Sequence, residues 1–198
     1  EIAALMQATA ILRGSHVQAT YRTLIGLLAA TGMRIGEAIG LDRDDFDAGS
    51  GMVTIRHGKF GKSRALPLHP STVAALETYL RRDDRPHQAD MPALLISSTG
   101  KRLRYTVVQP TFKKLLHHCG IAPRSATCRP RIHDLRHSFA VSTIAGGYRT
   151  DDPGSRLAIL STYLGHADPG DTYWYLSAAP ELLALAGERL ERHLAGDT

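Results

Sequence analysis

Apolar and polar residues alternate along this chain with two periods, and the longer period dominates. Apolar residues three and four positions apart share one face of a helix, so this spacing indicates amphipathic helices. It predicts helices over residues 1–13, 16–30, 70–80, 106–118, 155–164 and 180–194, a short helix over about 34–41, and another that begins near 133. The leucines of residues 180–194 face away from a charged side, so this helix could pack within the chain or dock into another copy.

The shorter period and the turn residues predict a few strands and loops. Segments rich in β-branched and apolar residues predict strands over 52–56, 64–68 and 93–97. The glycine-containing segment 57–62 predicts a hairpin between the first two strands, whereas 42–51 is acidic and rich in turn residues. The segment 148–154, after a pair of glycines, is predicted as a loop.

Composition narrows the classes of protein. The 198 residues suffice for one domain with a real core, and 43% hydrophobic and 22% charged residues are ordinary for a globular protein. The net charge of +5 favours an anionic partner, although many basic proteins bind no nucleic acid. The two cysteines, Cys119 and Cys128, form no CxxC pair, which suits a reducing cytoplasm. The longest apolar run, residues 24–30, is too short to span a membrane.

The strongest chemical signal is His133-Asp134-Leu135-Arg136-His137 at the start of a predicted helix. His133, Arg136 and His137 lie three and four residues apart, so they can share one face. A neutral imidazole exchanges a proton near pH 7, and a guanidinium binds two phosphate oxygens at once, so the stretch suits a phosphodiester. An exposed polar turn, or a zinc site that uses the two histidines, would explain the same residues.

Other charged residues have both a functional and an ordinary explanation. Arg34 could bind an anion or simply form a surface ion pair with Glu37, three residues on. A lysine at the 57–62 tip could reach into a groove or only keep the tip soluble. Basic runs are usually solvated surface, but three of them flank the His133 stretch, which suggests a phosphate backbone. These runs comprise Lys101, Arg102 and Arg104; Lys113 and Lys114; and Arg124, Arg129 and Arg131.

Together, five motifs resemble the tyrosine recombinase, or phage integrase, family in order and spacing. They are Thr31-Gly32-Met33-Arg34-Ile35-Gly36-Glu37, Gly58-Lys59, His133-Asp134-Leu135-Arg136-His137, Leu164-Gly165-His166 and Tyr175. Each motif alone is weak, but the five together, over roughly residues 20–180, are highly specific.

The resemblance implies an α+β catalytic domain, mostly helical, with a small three-stranded antiparallel sheet, over residues 1–198. It also implies a site-specific recombinase that cleaves and rejoins DNA through a 3′-phosphotyrosine, without metal, ATP or another cofactor. The expected partners are double-stranded DNA carrying a recombination site and further copies of the chain, in a tetramer joined through a C-terminal helix at about 180–195. We expect the family's N-terminal DNA-clamping domain to lie outside these residues, no membrane association, and a cytoplasmic, nucleoid-associated location.

The resemblance also implies a role for each matched residue. Arg34 and Arg136 would clamp the phosphate, and His166 would hydrogen-bond it. His133 would assist proton removal from the nucleophile Tyr175, and Lys59 would protonate the leaving 5′ oxygen. Glu37 would support the site. Further DNA contacts are expected from Lys62, Lys101, Arg102, Arg104, Lys113, Lys114, Arg129, Arg131 and His137.

Several alternatives stay open on the sequence. Tyr173 lies two residues before Tyr175 and could replace it as nucleophile, and Lys62 could replace Lys59. His137 could serve helix packing as well as a phosphate contact. Three rival classes are a DNA-binding relative without catalysis, a type IB topoisomerase, which shares the chemistry but relaxes DNA, and a zinc enzyme using His133 and His137.

Overall fold

A computed structural model gives the fold of the chain, which is mostly helical with one small sheet. It describes residues 1–56, 63–86, 90–123, 125, 128–149, 153–165, 168, 170, 172–173, 175 and 180–194. The α-helices are α1 (Ile2–Ala8), α2 (Ser15–Thr31), α3 (Ile35–Gly40), α4 (Pro70–Leu80), α5 (Tyr105–His118), α6 (Asp134–Arg149), α7 (Pro153–Leu164) and α8 (Pro180–Leu194). The strands are β1 (Phe46–Asp47), β2 (Met52–Ile55) and β3 (Arg64–Pro67), and two 3-10 turns cover Thr9–Ile11 and Arg43–Asp45.

The chain forms two compact units, Glu1–Arg136 and His137–Thr198, with the division inside α6. The assignment of residues 1–198 to one catalytic domain stays a prediction.

Helix α2 is the central element of the first unit. Its residues Tyr21, Leu24, Ile25 and Leu28 follow the i, i+3, i+4, i+7 spacing of one helix face, and all are buried. The helix as a whole packs against α1, α3 and α4. The helix ends at Gly32, whose φ of 60° is left-handed, a conformation that glycine adopts without steric cost.

The three strands form an antiparallel sheet in the order β1-β2-β3. Val53 lies opposite Phe46 on one side and Leu66 on the other, and Val53, Ile55 and Leu66 give the sheet its buried face. Alternate residues of a strand point to opposite faces, which explains why Thr54 is more open than its neighbours. The predicted fold class, mostly helical with a three-stranded antiparallel sheet, is confirmed.

The prediction of the third strand was wrong. Phe46–Asp47 takes that place, whereas 93–97 forms only isolated bridges, from Ala93 to Asp42 and from Ile96 to Arg102. Side chains satisfy much of the backbone of this buried segment. The Tyr79 hydroxyl accepts from the Ile96 N–H at 3.2 Å, and Arg85 Nη2 donates to the Ala93 carbonyl at 3.0 Å. Apolar residues there fill the core without a ladder of strand bonds.

The second unit packs its helices around one apolar cluster. We call it the Tyr175 core; its buried members are Ala140, Ile144, Leu160, Leu164, Tyr175 and Leu182. They come from α6, α7, α8 and the segment between α7 and α8. Leu182 therefore fixes the start of α8 within its own chain, while Leu183 and Leu194 of the same helix are exposed.

The predicted end of α6 was also wrong. The helix continues through Gly146-Gly147 to Arg149, and α7 begins at Pro153, so both ends of the loop predicted at 148–154 are helical. A Cβ atom on Gly147 would lie 3.0 Å from Cδ of Arg156 on α7. This glycine allows a close approach of α7 to α6 and does not end the helix.

Candidate active site

Arg34 follows directly from the way α2 ends. After the left-handed Gly32, Met33 is buried, and Arg34 takes an extended conformation as the residue that precedes α3. The sequence spacing had placed Arg34 within the short helix, on one face with Glu37. In the structure Arg34 is instead the residue just before α3. Its backbone N–H donates to Glu37 Oε2 at 2.8 Å, a contact that commonly satisfies the first N–H groups of a helix.

Glu37 binds two arginines at once. Arg34 Nη1 donates to Oε1 at 3.1 Å, and Arg64 of β3 donates from Nη1 to Oε1 at 3.0 Å and from Nη2 to Oε2 at 2.8 Å. We call Arg34, Glu37 and Arg64 the Glu37 bridge. Burial alone would raise the pKa of Glu37, but the hydrogen bonds and charges of Arg64 and Arg34 outweigh it and lower that pKa. Glu37 is therefore ionised at neutral pH.

Arg136 is the second arginine of the predicted phosphate clamp, and it reaches the turn that carries Arg34. Its side chain is 2% exposed, and Nη1 donates to the carbonyl oxygen of Gly32 at 2.8 Å. A bond that spans 104 positions of sequence thus fixes the first turn of α6 to the end of α2. Sequence motifs widely separated in the chain meet here.

His133 lies just before α6, and three cations act on it. His133 is exposed, yet the surrounding protein partly desolvates its ring, and this desolvation is the main cause of its lowered pKa. The charges of Arg136, Arg131 and Arg34 lower the pKa of His133 further, against the opposing effect of Asp134. A lowered pKa keeps the imidazole neutral at pH 7, the form that can accept a proton. Arg34, His133 and Arg136 therefore form one electropositive group in the first unit.

Tyr175 and Tyr173 differ sharply in the second unit. Tyr175 is 5% exposed within the Tyr175 core, and its ring lies 5.3 Å from the ring of His137 between centroids, tilted by 41°. Tyr173 is 58% exposed. The His137 ring thus packs against Tyr175, which agrees with the packing alternative for His137.

Three predicted site residues, Lys59, Lys62 and His166, lie outside the described residues. Gly165, which precedes His166, has a left-handed φ of 68° and ends α7, as predicted. Within the described part of the chain, no group of three or more His, Cys, Asp or Glu side chains is placed to hold a metal ion.

The predicted DNA-contacting residues fall into two groups. Lys101, Arg104, Lys113, Lys114, Arg129 and Arg131 are exposed. Arg102 instead donates from Nη1 to the carbonyl oxygens of Ile39, Gly40 and Leu41, and from Nη2 to the Asp42 carboxylate. A cation at these carbonyls stabilises the end of α3, so Arg102 has a structural role whether or not it touches DNA.

Arg64 is the residue of the Glu37 bridge that sequence reasoning missed. Its partner Glu37 lies 27 positions earlier and on another element, so no local spacing links the two. The pairing of a carboxylate on α3 with an arginine on β3 is visible only in three dimensions.

Comparison with known proteins identifies the family. The model of the phage integrase family matches residues 1–181. Over 177 residues the chain is 45% identical to y4rB of Sinorhizobium fredii, named as a candidate integrase/recombinase, covering 87% of this chain and 56% of y4rB. It is 34% identical to the tyrosine recombinase XerD of Mycobacterium tuberculosis over 162 residues, covering 78% of this chain and 46% of XerD.

A solved structure agrees with these relatives. The XerH site-specific recombinase, bound to a palindromic difH substrate after cleavage, superposes with a TM-score of 0.70 at 25% identity. The match covers 96% of this chain and 51% of the XerH chain. The chain thus spans about half the length of the relatives it matches. None of the helices described is long and apolar enough to cross a membrane. The resemblance seen in the five motifs is confirmed: the chain belongs to the phage integrase family of tyrosine recombinases.

Proposed function

We propose that this chain is the catalytic part of a site-specific DNA recombinase that works through a 3′-phosphotyrosine, without metal or ATP. The observation that carries the proposal is the meeting of Arg34, His133 and Arg136 in one electropositive group, through the bond from Arg136 to Gly32 and the charges that act on His133. Family membership and the DNA named in the XerH complex support the same conclusion.

The proposed reaction exchanges one phosphodiester for another. The Tyr175 oxygen attacks the phosphorus, the bond from phosphorus to the 5′ oxygen breaks, and a 3′-phosphotyrosine forms. His133 takes the phenol proton and Lys59 gives a proton to the departing 5′ oxygen. The bond energy is kept in the phosphotyrosine, so attack by a 5′ hydroxyl reverses the step and rejoins DNA.

Arg34, Arg136 and His166 would stabilise the extra negative charge of the pentacovalent transition state. Preorganised donors of this kind are each worth roughly a hundredfold or more in rate. Arg34 and Arg136 fit this role because hydrogen bonds hold both before any substrate arrives. Tyr175 needs such neighbours because a protonated phenol is a weak nucleophile and must lose its proton as it attacks.

DNA binding would use the exposed basic residues Lys101, Arg104, Lys113, Lys114, Arg129 and Arg131, and also Lys62, Arg102 and His137. Contacts of cations with phosphates release counterions, so we expect an affinity that falls steeply with salt.

Assembly would use α8. Its exposed Leu183 and Leu194 leave apolar surface for another copy, while Leu182 stays in the Tyr175 core. We propose a tetramer on DNA. Leu183→Arg should weaken cooperative binding to a duplex with paired sites in a gel-shift titration, whereas Ala184→Arg, beside it and also exposed, is the matched control. Unchanged cooperativity in Leu183→Arg would contradict the role of α8.

The test of the function is covalent trapping on DNA. A duplex selected by binding from a random library is nicked beside the expected cleavage point, so that the released fragment cannot be rejoined. With EDTA present, wild type and Tyr173→Phe should give a protein–DNA band on a denaturing gel, and Tyr175→Phe should give none. No band from wild type on a duplex that it binds would favour a binding-only protein. A band without recombinant products from two sites would favour a topoisomerase.

A further inference from the structure

Arg64 connects the sheet to the proposed phosphate site through Glu37. It lies at the start of β3, opposite Ile55, and its side chain is 15% exposed. Both of its terminal nitrogens bind the Glu37 carboxylate, at 3.0 and 2.8 Å. This two-point geometry is the strongest form of arginine–carboxylate pairing, and it fixes the direction of the carboxylate as well as its position.

The Glu37 carboxylate is shared evenly between the two arginines. Oε1 accepts from Arg34 Nη1 and Arg64 Nη1, while Oε2 accepts from the Arg34 backbone N–H and Arg64 Nη2. A carboxylate offers about four acceptor positions, so these four donors fill it. Glu37 is 8% exposed, which leaves little water to compete for them.

Charge makes Arg64 more than an anchor for the strand. The Glu37 bridge holds two guanidinium groups and one carboxylate, so it keeps one net positive charge. Arg34 is the more open of the two, at 26% exposed against 15%, and an anion can therefore approach it. Without Arg64, Glu37 and Arg34 would form a neutral pair whose field on a phosphate is much weaker.

We propose that Arg64 is a positioning residue for the DNA phosphate. The positive charge of Arg64 compensates the negative charge of Glu37. The positive charge of Arg34 is then left to attract a non-bridging phosphate oxygen. Arg64 also holds the carboxylate that orients Arg34. This inference rests on the proposed function, because it assigns Arg64 a part in the same site.

If Arg64 only anchored the strand and had no electrostatic role, its variants would differ from our expectation in their cleavage rates. Arg64→Ala removes the strand contact and leaves Glu37 with Arg34 alone. The double variant Arg64→Ala/Glu37→Gln loses the same strand contact but also removes the uncompensated charge. Our proposal therefore predicts recovery in the double variant, whereas a strand anchor predicts none.

The experiment measures single-turnover cleavage on the nicked duplex and, separately, the Kd for that duplex. Arg64→Ala should slow cleavage roughly ten- to a hundredfold, the size expected for losing hydrogen bonds to a charged group. Its Kd should change little, because many other phosphate contacts set it. The double variant should regain several-fold in cleavage rate over Arg64→Ala, and Arg64→Lys, which keeps the charge without the fork, should fall between wild type and Arg64→Ala.

Cleavage by Arg64→Ala at the wild-type rate, or equal slowness of Arg64→Ala and the double variant, would overturn the proposal. A second readout needs no cleavage: titration of each protein with inorganic phosphate, followed by the NMR signal of the Arg34 Nε–H group. Phosphate binding should weaken in Arg64→Ala and recover in the double variant, and equal binding in all three would overturn the proposal. If wild type forms no adduct, the proposed function fails, and the phosphate titration still decides the role of Arg64.

Discussion

The Glu37 bridge and the Tyr175 core are held in place by different forces. In the first, four hydrogen bonds with ionised groups fix Arg34 and Arg64 around one carboxylate. In the second, apolar contacts among α6, α7 and α8 enclose the tyrosine, and the neighbouring ring of His137 packs on it. Donors that stabilise a charged transition state must point in a fixed direction, and directional hydrogen bonds fix that direction before the reaction begins. The position of a tyrosine that is held only by packing depends on the volumes of the side chains around it.

This contrast predicts that substitutions in the two regions will fail in different ways. Losses in the Tyr175 core should appear mainly as lost stability, and losses in the Glu37 bridge mainly as lost rate.

Leu160→Ala should lower the free energy of unfolding by about 2–5 kcal/mol, because it removes a buried side chain from the Tyr175 core and leaves a cavity. Urea denaturation measures the change. Leu183→Ala on the exposed side of α8 is the control and should change stability by about 0.5 kcal/mol or less. Equal losses in the two variants would show that the Tyr175 core is not a cohesive packing unit.

Arg34→Ala should slow DNA cleavage roughly a hundred- to a thousandfold, the loss typical for one preorganised donor. Its free energy of unfolding should fall by about 1 kcal/mol or less, because Glu37 keeps its two bonds to Arg64 and the lost ion pair is partly open. Single-turnover cleavage and urea denaturation give the two quantities. Arg81→Ala, which breaks an exposed ion pair with Glu77, should leave both nearly unchanged. A large loss of stability in Arg34→Ala with an unchanged cleavage rate would contradict the view that the Glu37 bridge serves catalysis more than stability.

The pH dependence of cleavage should report His133. Partial desolvation and the neighbouring cations lower its pKa, so the neutral ring that accepts a proton persists below pH 6.5. Cleavage should therefore hold its rate from pH 7.5 to 6.5, and then fall about tenfold per unit once the pH passes below the pKa of His133. In His133→Asn the overall rate should be lower and this acid-side fall absent. A fall that begins above pH 6.5 would contradict the assignment.

Sequence patterns predicted the elements whose burial is periodic. Helices α2, α4 and α5 lie within a residue or two of their predicted bounds, because apolar residues recur on one face and a proline or glycine marks an end. The two longer strands were found for a similar reason. Phe46–Asp47 was missed because two residues show no alternation, and the side chain of Asp47, which accepts from the Gly49 N–H at 2.9 Å, makes the segment look like a turn.

The errors elsewhere come from long-range contacts. The apolar segment 93–97 resembled a strand, but Tyr79, Thr20 and Arg85 bind its backbone in place of a neighbouring strand. Gly146-Gly147 resembled a helix end, but α6 continues through both, and a Cβ atom at position 147 would crowd the side chain of Arg156. Motif spacing identified Arg34, His133 and Arg136, whereas Arg64 had no local signal because its partner Glu37 lies 27 positions earlier, on α3.

The position of the phosphate in the trapped adduct identifies the nucleophile. Wild-type protein is trapped on the nicked duplex, digested with trypsin and analysed by tandem mass spectrometry. Residues 157–189 form one tryptic peptide that contains Tyr163, Tyr173 and Tyr175, so all three candidates are compared within one fragment. We expect a 3′-phosphonucleotide on Tyr175, which lies within the Tyr175 core. A phosphate on the exposed Tyr173, on Tyr163 or on no tyrosine would contradict it.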